Sequence, residues 1–182
     1  MGTHNLKMNA VWNLPFLRNR KDILGSALGG WQLSTVMNFL SGGYFNPVSN
    51  QPYGSGGDFN ADGQTGDRPD LPVAKVPKVY SKADWLREAI SASIFPLPTT
   101  VRNGTLPDDY FNGPGYARVD VSFSKRFPIK EKFAIQARVE ASNALNRANI
   151  SDVVSSLTDI NFAQADSFYP MRTVQLSMKV IF

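Results

Sequence analysis

The residues best suited to chemistry lie in one short acidic run. Side chains with oxygen atoms occupy alternate positions at Asp58, Asn60 and Asp62, and Gly63 follows them. This spacing is typical of the first half of an EF-hand-type calcium loop, because alternate residues of a tight turn can direct their oxygens toward one hard cation. Glycine allows the chain to reverse at that point. The run therefore indicates a Ca²⁺ site as one of two interpretations.

The second half of the calcium loop departs from the pattern. Its twelfth position is Pro69, where a calcium loop carries a bidentate glutamate. Asp67 or Asp70 would have to complete the coordination from a different geometry. The alternative is a metal-free turn, in which Asp and Asn side chains accept hydrogen bonds from the backbone. The calcium hypothesis takes as ligands Asp58, Asn60, Asp62 and Asp67.

Residue types for catalysis are nearly absent. The chain has no cysteine and one histidine, His4, so a thiolate metal site, a multi-histidine site and a histidine-based triad are excluded. Asp84 and Glu88 would share one face of a helix predicted over residues 82–92, with Ser81 as its N-cap. Solvated helices produce that spacing routinely. We expect no enzymatic activity and no cofactor other than Ca²⁺.

The composition favours a β-rich domain that does not bind nucleic acid. The 182 residues are 12% aromatic and include 14 glycines and 12 prolines, which favour turns over helices. No apolar run approaches the roughly 18 residues that a membrane helix needs, so any membrane span must use strands. The net charge of +4 comes from scattered basic residues, whereas nucleic-acid binders gather them on one face. The alternating N-terminal residues do not resemble a signal peptide, which predicts that the true N-terminus lies elsewhere.

Five segments show the period-two alternation of a strand with two different faces. In the last of them, alternate residues from Val174 to the terminal Phe182 are apolar, and mostly polar residues stand between them. We predict that the strands cover about residues 5–16, 30–40, 116–127, 132–145 and 172–182.

The connections between these strands alternate in length. Residues 128–131 form a predicted tight turn, whereas residues 41–115 and 146–169 are long loops without a sustained period. Short turns on one side and long loops on the other are typical of bacterial outer-membrane barrels. The predicted fold class is therefore all-β, an antiparallel transmembrane β-barrel segment with a long extracellular loop. Because closure needs about eight strands or more, five strands indicate part of a larger barrel.

Several stretches resemble one known family. GGWQLS at residues 29–34, SGGYFNP at 41–47, the stretch 113–150 and RTVQLSMKVIF at 172–182 are similar to the C-terminal region of TonB-dependent outer-membrane receptors. The most similar group is the Oar-like one, which carries an N-terminal carboxypeptidase-regulatory-like domain and has similar acidic segments in the corresponding loop. The resemblance covers essentially the whole chain.

This resemblance implies a fold, a location and partners. The family forms a 22-stranded barrel in the bacterial outer membrane, filled by an N-terminal plug, and takes up scarce substrates with energy from TonB. The implied partners are outer-membrane lipid, the plug and remaining barrel strands, TonB, and the barrel-assembly machinery. A terminal aromatic residue such as Phe182 resembles the assembly signal of outer-membrane barrels.

Two further groups of residues have predicted roles. Aromatic residues near the bases of the loops are predicted to face substrate, with loop anchoring or a position at the membrane interface as the alternatives; they are Tyr44, Phe45, Tyr53, Tyr110, Phe111 and Tyr116. Charged residues on the polar faces of two strands are predicted to face the barrel lumen and to pair across neighbouring strands, as a structural ladder or along the substrate path; they are Arg118, Asp120, Arg138 and Glu140.

Two other functions are compatible with the same pattern. A soluble, secreted β-sheet module that binds calcium or carbohydrate would bury the apolar strand faces. An accessory membrane subunit would pair the open edges of its sheet with the sheet of another protein.

Overall fold

A computed structural model describes residues 4–16, 20, 22–49, 57–130 and 133–182. The chain divides into two compact units. The strand unit takes its described residues from 5–39, 117–148 and 170–182, and the loop unit takes most of its residues from 40–116 and 149–169. None of the helices in the described part of the chain has the length and apolar composition to cross a membrane.

The regular elements are mostly strands. In chain order they are β1 (Asn5–Asn13), α1 (Ile23–Leu28), β2 (Gln32–Leu40), β3 (Tyr44–Phe45), α2 (Lys82–Trp85), a 3₁₀ turn (Ala92–Ile94), β4 (Phe111–Asn112), β5 (Tyr116–Lys130), β6 (Phe133–Ser142), β7 (Ile150–Val153), β8 (Ala165–Phe168) and β9 (Thr173–Ile181).

The five long strands form one sheet in the order β1-β2-β5-β6-β9. β6 pairs antiparallel with both β5 and β9, and its register places Phe123, Val139 and Leu176 in one row across the three strands. The next row contains Arg138 opposite Ser177. Because side chains alternate along each strand, the rows alternate too, and the sheet has an apolar face and a polar face.

The apolar face is exposed on the last strand. Leu176 and Met178 of β9 are 76% and 73% exposed, and Met8 and Trp12, which share one face of β1, are exposed at the opposite edge. A soluble protein normally buries a contiguous apolar surface of this kind. The pattern therefore favours an apolar environment around the sheet over water.

Two strand ends differ from the predicted ones. β5 continues through Pro128 into the predicted tight turn, because a register shift between Pro128 and Lys130 lets the strand tolerate proline. β6 ends at Ser142 instead of residue 145, because Asn143 adopts a left-handed backbone with φ of 50°. Asparagine is one of the few residues that adopt this conformation readily.

A short helix, α1, interrupts the connection between β1 and β2. Asp22 is its N-cap and accepts a hydrogen bond from the N–H of Gly25. Lys125, in the apolar row of β5 that also contains Ala137 and Met178, donates a hydrogen bond from Nζ to the carbonyl of Ser26. The helix thus provides a polar partner for a cation in an apolar row, and the Lys125 side chain is buried.

The loop unit has its own aromatic core. The rings of Phe45 and Trp85 are 5.1 Å apart, and those of Phe95 and Phe111 are 5.9 Å apart, in edge-to-face contact. Phe162, from the second predicted loop, contacts both Phe45 and Phe95. The two long segments between strands therefore fold together around one core, although little of their backbone is regular.

Two small sheets flank this core. β3 pairs antiparallel with β4, and β7 pairs antiparallel with β8. Beyond β3 and β7 the chain segments meet in a parallel bridge, where the N–H of Val48 donates to Ser155 (3.0 Å) and the N–H of Leu157 donates to Val48 (2.9 Å). The predicted second loop thus contains a hairpin that joins the first.

The predicted helix after Ser81 is present but short. Ser81 and Asp84 form a reciprocal capping box at the start of α2. The helix ends at Trp85 rather than at residue 92, and the N–H of Ala89 instead donates to the carbonyl of Ala163 at 3.2 Å. A long-range backbone bond therefore replaces the local bonds that a longer helix would make.

Candidate functional site

The acidic run forms one tight turn in the loop unit. The carboxylate of Asp58 accepts hydrogen bonds from the N–H groups of Asp62 (3.1 Å) and Gly63 (3.0 Å). The side-chain oxygen of Asn60 also accepts from the N–H of Asp62, at 3.0 Å. Gly63 has a φ of 83°, a conformation that glycine adopts without steric cost.

The fourth predicted ligand closes the turn from the other side. Asp67 Oδ2 accepts hydrogen bonds from the N–H groups of Phe59 (2.7 Å) and Asn60 (3.2 Å). The Asn60 amide donates in turn to Asn103 Oδ1 at 2.8 Å. The structure therefore brings the four predicted ligands into one turn.

The carboxylates of this turn already have hydrogen-bond partners. Each oxygen pair accepts backbone N–H groups, which is the arrangement of an Asx-type turn. Within the described ranges, no group of three or more acidic, histidine or cysteine side chains is arranged to hold a metal ion. Calcium binding stays a prediction, and the metal-free turn stays its alternative.

A second carboxylate holds the neighbouring loop segments together. The guanidinium of Arg102 donates to both oxygens of Asp70, at 2.7 and 2.6 Å. Thr105 adds its N–H (3.1 Å) and its hydroxyl (3.2 Å) to the same carboxylate. The Arg102 hydrogen bonds lower the pKa of Asp70 to about 2, against a smaller opposing effect of burial. No sequence pattern pointed to this pair.

The predicted substrate-facing aromatic residues fall into different environments. Phe45 and Phe111 differ from the expectation, because their side chains are 6% and 0% exposed and belong to the core. Tyr44 is exposed and lines a cleft. Tyr53 lies outside the described residues.

The other two predicted aromatic residues make ring contacts at the edge of the loop unit. Tyr110 packs edge-on against Phe111 at 4.8 Å, with the Lys78 ammonium 4.5 Å from the Tyr110 ring centre. Tyr116 packs edge-on against Tyr169 at 4.9 Å. These contacts fit loop anchoring, which was the alternative to substrate contact.

The cleft lies between the two small sheets of the loop unit. It has a volume of about 380 Å³, which is within the range of small-ligand sites. One wall is formed by residues 43–46 and the other by residues 150–155, with Gly113, Pro114 and Tyr169 completing the lining. Sequence reasoning missed this cleft, since its walls are more than 100 residues apart in the chain.

The predicted lumen charges lie on the polar face of the sheet, but they pair within strands. Arg118 contacts Asp120 at 2.7 Å in β5, and Arg138 contacts Glu140 at 3.1 Å in β6. The prediction of cross-strand ion pairs was wrong for Arg138 and Glu140, because the register places a serine of β5 opposite each of them.

Asp120 also links β5 to the end of β6. Its carboxylate accepts a hydrogen bond from the N–H of Asn143 at 2.8 Å. The Asn143 side chain then accepts from the N–H of Arg147 at 3.0 Å and donates to its carbonyl at 2.9 Å. This geometry supports the structural interpretation of Asp120.

The amino-acid sequence matches one family of known proteins. A family model described as "Outer membrane beta barrel domain" matches residues 2–175. The chain belongs to this family. The comparison with curated proteins and the comparison with solved structures gave no match.

Membership of the outer-membrane β-barrel family confirms the predicted fold class and location. The chain is an all-β barrel segment in which β6 pairs antiparallel with β5 and β9, and its location is the bacterial outer membrane. Phe182 follows β9 with an exposed side chain at the free edge of the barrel sheet. Its role as an assembly signal stays a prediction.

Proposed function

We propose that this β-barrel chain is the C-terminal part of a TonB-dependent outer-membrane receptor. Family membership supports the barrel, and the resemblance at residues 29–34, 41–47, 113–150 and 172–182 supports the receptor class. In this proposal the chain contributes barrel wall and the loops that meet substrate, and it carries out no chemical reaction.

The observation that carries the proposal is the two-faced sheet. Gln175 lies in the polar row with Glu140, and Leu176 lies in the apolar row with Val139. Lipid tails exclude polar side chains, whereas a wet lumen accepts them. The apolar face would therefore contact outer-membrane lipid, and the polar face would line a lumen that holds the plug.

The edges of the sheet require partner strands. β1 and β9 are the outer strands of the five, and an unpaired edge in a membrane leaves backbone groups without hydrogen bonds. We propose that further strands of the same barrel pair with both edges. The second candidate function is an accessory subunit. It would apply if strands of another protein paired with the same edges.

The remaining partners follow from the same proposal. TonB would supply energy through the plug, and the barrel-assembly machinery would bind the terminal strand that ends at Phe182. The acidic turn around Asp58 would bind Ca²⁺ within the loop unit. The loop unit would face the outside of the cell, since long loops of these barrels do so.

Two neighbouring residues of β9 provide the test. The chain has no cysteine, so Gln175→Cys and Leu176→Cys each create one reactive thiol on opposite faces. Each variant is produced in outer membranes, labelled with a photoactivatable benzophenone maleimide, irradiated and examined by mass spectrometry. Because the two positions are adjacent, they have the same depth in the membrane and differ only in the face.

The proposal expects different products from the two variants. Gln175→Cys should cross-link to a plug segment of a TonB-dependent receptor, and Leu176→Cys should give lipid adducts. Protein adducts at Gln175→Cys that contain no plug would refute the receptor class. Equal products from both faces would refute the orientation of the sheet, and extraction of the protein without detergent would favour the soluble module.

A further inference from the structure

The cleft of the loop unit is bounded by two strand edges. β3 pairs through one edge with β4, and β7 pairs through one edge with β8. Their other edges are directed to the cleft, because residues 43–46 and 150–153 both line it. Each wall of the cleft is thus the outer strand of a small sheet.

The two walls meet just beyond β3 and β7. The bridge between Val48 and Ser156 is parallel and closes the cleft just beyond β3 and β7. Within the described residues, no pairing joins 43–46 to 150–154. The strands therefore run side by side, diverge from the bridge and leave an open space of about 380 Å³ between them.

One part of this space is lined by glycines, and there the N–H of Gly113 donates to the carbonyl of Gly43 at 2.6 Å. Gly43 and Gly113 line it without side chains, and a Cβ placed on Gly43 would meet no other atom within 4 Å. An extended peptide that enters such a space can bond to exposed strand edges through its own N–H and C=O groups. The geometry therefore fits a main chain better than a compact ligand.

The side chains of the cleft select for a positive charge. Among the described residues that line it, Asp152 is acidic and none is basic. Tyr44 and Tyr169 line the same cleft with exposed rings. A carboxylate attracts a lysine or arginine side chain, and tyrosine rings attract the same cations through their π faces.

We propose that the cleft binds an extended peptide segment of another polypeptide, with a lysine or arginine side chain placed beside Asp152. The peptide adds a strand between β3 and β7. This binding function goes beyond barrel formation. It does not depend on TonB, because it requires only the cleft of the folded loop unit.

Three variants isolate the cleft. Gly43→Phe fills the space without a backbone clash, since its φ is in the ordinary range and its Cβ direction is open. Asp152→Asn removes the charge but keeps Oδ1, which accepts the N–H of Val153 at 2.9 Å. Val73→Phe adds the same ring at an exposed site outside the cleft lining and serves as the matched control.

The experiment is fluorescence anisotropy on the chain within its intact barrel, extracted in detergent micelles. The probes are two pools of fluorescein-labelled pentapeptides with Gly, Ser, Thr and Val at the outer positions and either lysine or glutamate at the centre. The lysine pool should bind about five-fold more tightly than the glutamate pool. Gly43→Phe should weaken binding of the lysine pool at least about ten-fold, whereas Val73→Phe should leave it unchanged.

Asp152→Asn supplies an independent criterion. It should reduce the preference for lysine to less than about two-fold while both pools still bind. Equal binding of the two pools to the unchanged chain would overturn the proposal, as would an unchanged preference in Asp152→Asn. Binding of maltohexaose at the cleft without binding of either peptide pool would also overturn it and make the cleft a saccharide site.

Discussion

The carboxylate of Asp70 offers the sharpest test of how the loop unit is held together. Two hydrogen bonds from Arg102 and two from Thr105 converge on it. Asp70→Asn removes the negative charge and leaves the shape of the side chain nearly unchanged. We expect the segments around residues 70 and 102–105 to open more often in this variant.

The expected size follows from the pKa of Asp70. A fall from 3.8 to about 2 corresponds to about 2.4 kcal/mol of preference for the ionised form in the folded state, at about 1.36 kcal/mol per pKa unit. The side chains of Asp70 and Arg102 are 17% and 42% exposed, so solvent screens part of this interaction. We therefore expect Asp70→Asn to cost about 1 kcal/mol near neutral pH, or about a five-fold increase in local opening.

The dependence on pH has a definite sign. A carboxyl group whose pKa is lower in the folded state stabilises that state at pH values above its unfolded pKa, and this stabilisation is lost as the pH falls through the folded pKa. For Asp70 the loss takes place between about pH 4 and about pH 2. The local opening of the unchanged chain should therefore approach that of Asp70→Asn as the pH falls over that interval.

Hydrogen–deuterium exchange of the peptides that contain Leu71 and Thr105 measures this opening. The N–H of Leu71 donates to Thr105 Oγ1 at 3.1 Å, and the N–H of Thr105 donates to Asp70, so both amides report on the same cluster. Asp109→Asn is the control, because Asp109 is exposed and carries the same charge. Equal exchange in Asp70→Asn and Asp109→Asn, or a difference between Asp70→Asn and the unchanged chain that persists at pH 2, would refute the reasoning.

Three further predictions concern the loop unit. About 1 mM Ca²⁺ should slow exchange in the acidic turn roughly two- to ten-fold if the site has the affinity of extracellular calcium modules. Asp58→Asn should abolish the effect, and no effect of Ca²⁺ would favour the metal-free turn. Ser81→Ala should cost about 1 kcal/mol by removing one half of the capping box, seen as about five-fold faster exchange at the start of α2, and an unchanged rate would show that tertiary packing alone holds this turn. Gly42→Ala should prevent the pairing of β3 with β4, because its Cβ would overlap the carbonyl of Gly113, whereas Gly43→Ala should preserve this pairing. Near-ultraviolet circular dichroism of the aromatic core distinguishes the two variants, and identical spectra would contradict the prediction.

The parts of the fold that were predictable from sequence are those fixed by local pattern. Alternation in β2 and β9 placed both strands within two residues of their ends, because a two-faced environment requires a period of two. The N-cap Ser81 was predictable because it and the first turn of α2 are adjacent in the chain. Interactions between residues that are close in the chain can therefore be predicted from the local sequence.

The core of the loop unit leaves no such pattern. Phe45 and Trp85 lie in elements of two and four residues, and Phe162 lies in a turn, so no helical or strand period connects them. The ion pair of Asp70 and Arg102 joins residues 32 positions apart. Which of these residues contact each other depends on how the whole chain folds. The composition indicated only that the segment was rich in turns.

The same limit applies to the charges of the sheet. Alternation correctly placed Arg138 and Glu140 on the polar face, but opposite partners depend on register, which a difference of one or two residues in a turn can change. Lys125 occupies an apolar row, where alternation alone predicts an apolar residue. Its partner, the carbonyl of Ser26, is 99 residues away.

The shared core of the loop unit also sets an order of events during biogenesis. Phe45 and Phe95 precede the β5–β6 hairpin, but their contacts with Phe162 require a segment that follows it. Until that segment has been synthesised, the aromatic residues before the hairpin have no complete core to enter. Closing so long a loop carries an entropic cost that local turns avoid. The core of the loop unit can therefore be completed only after β5, β6 and the segment around Phe162 have been synthesised.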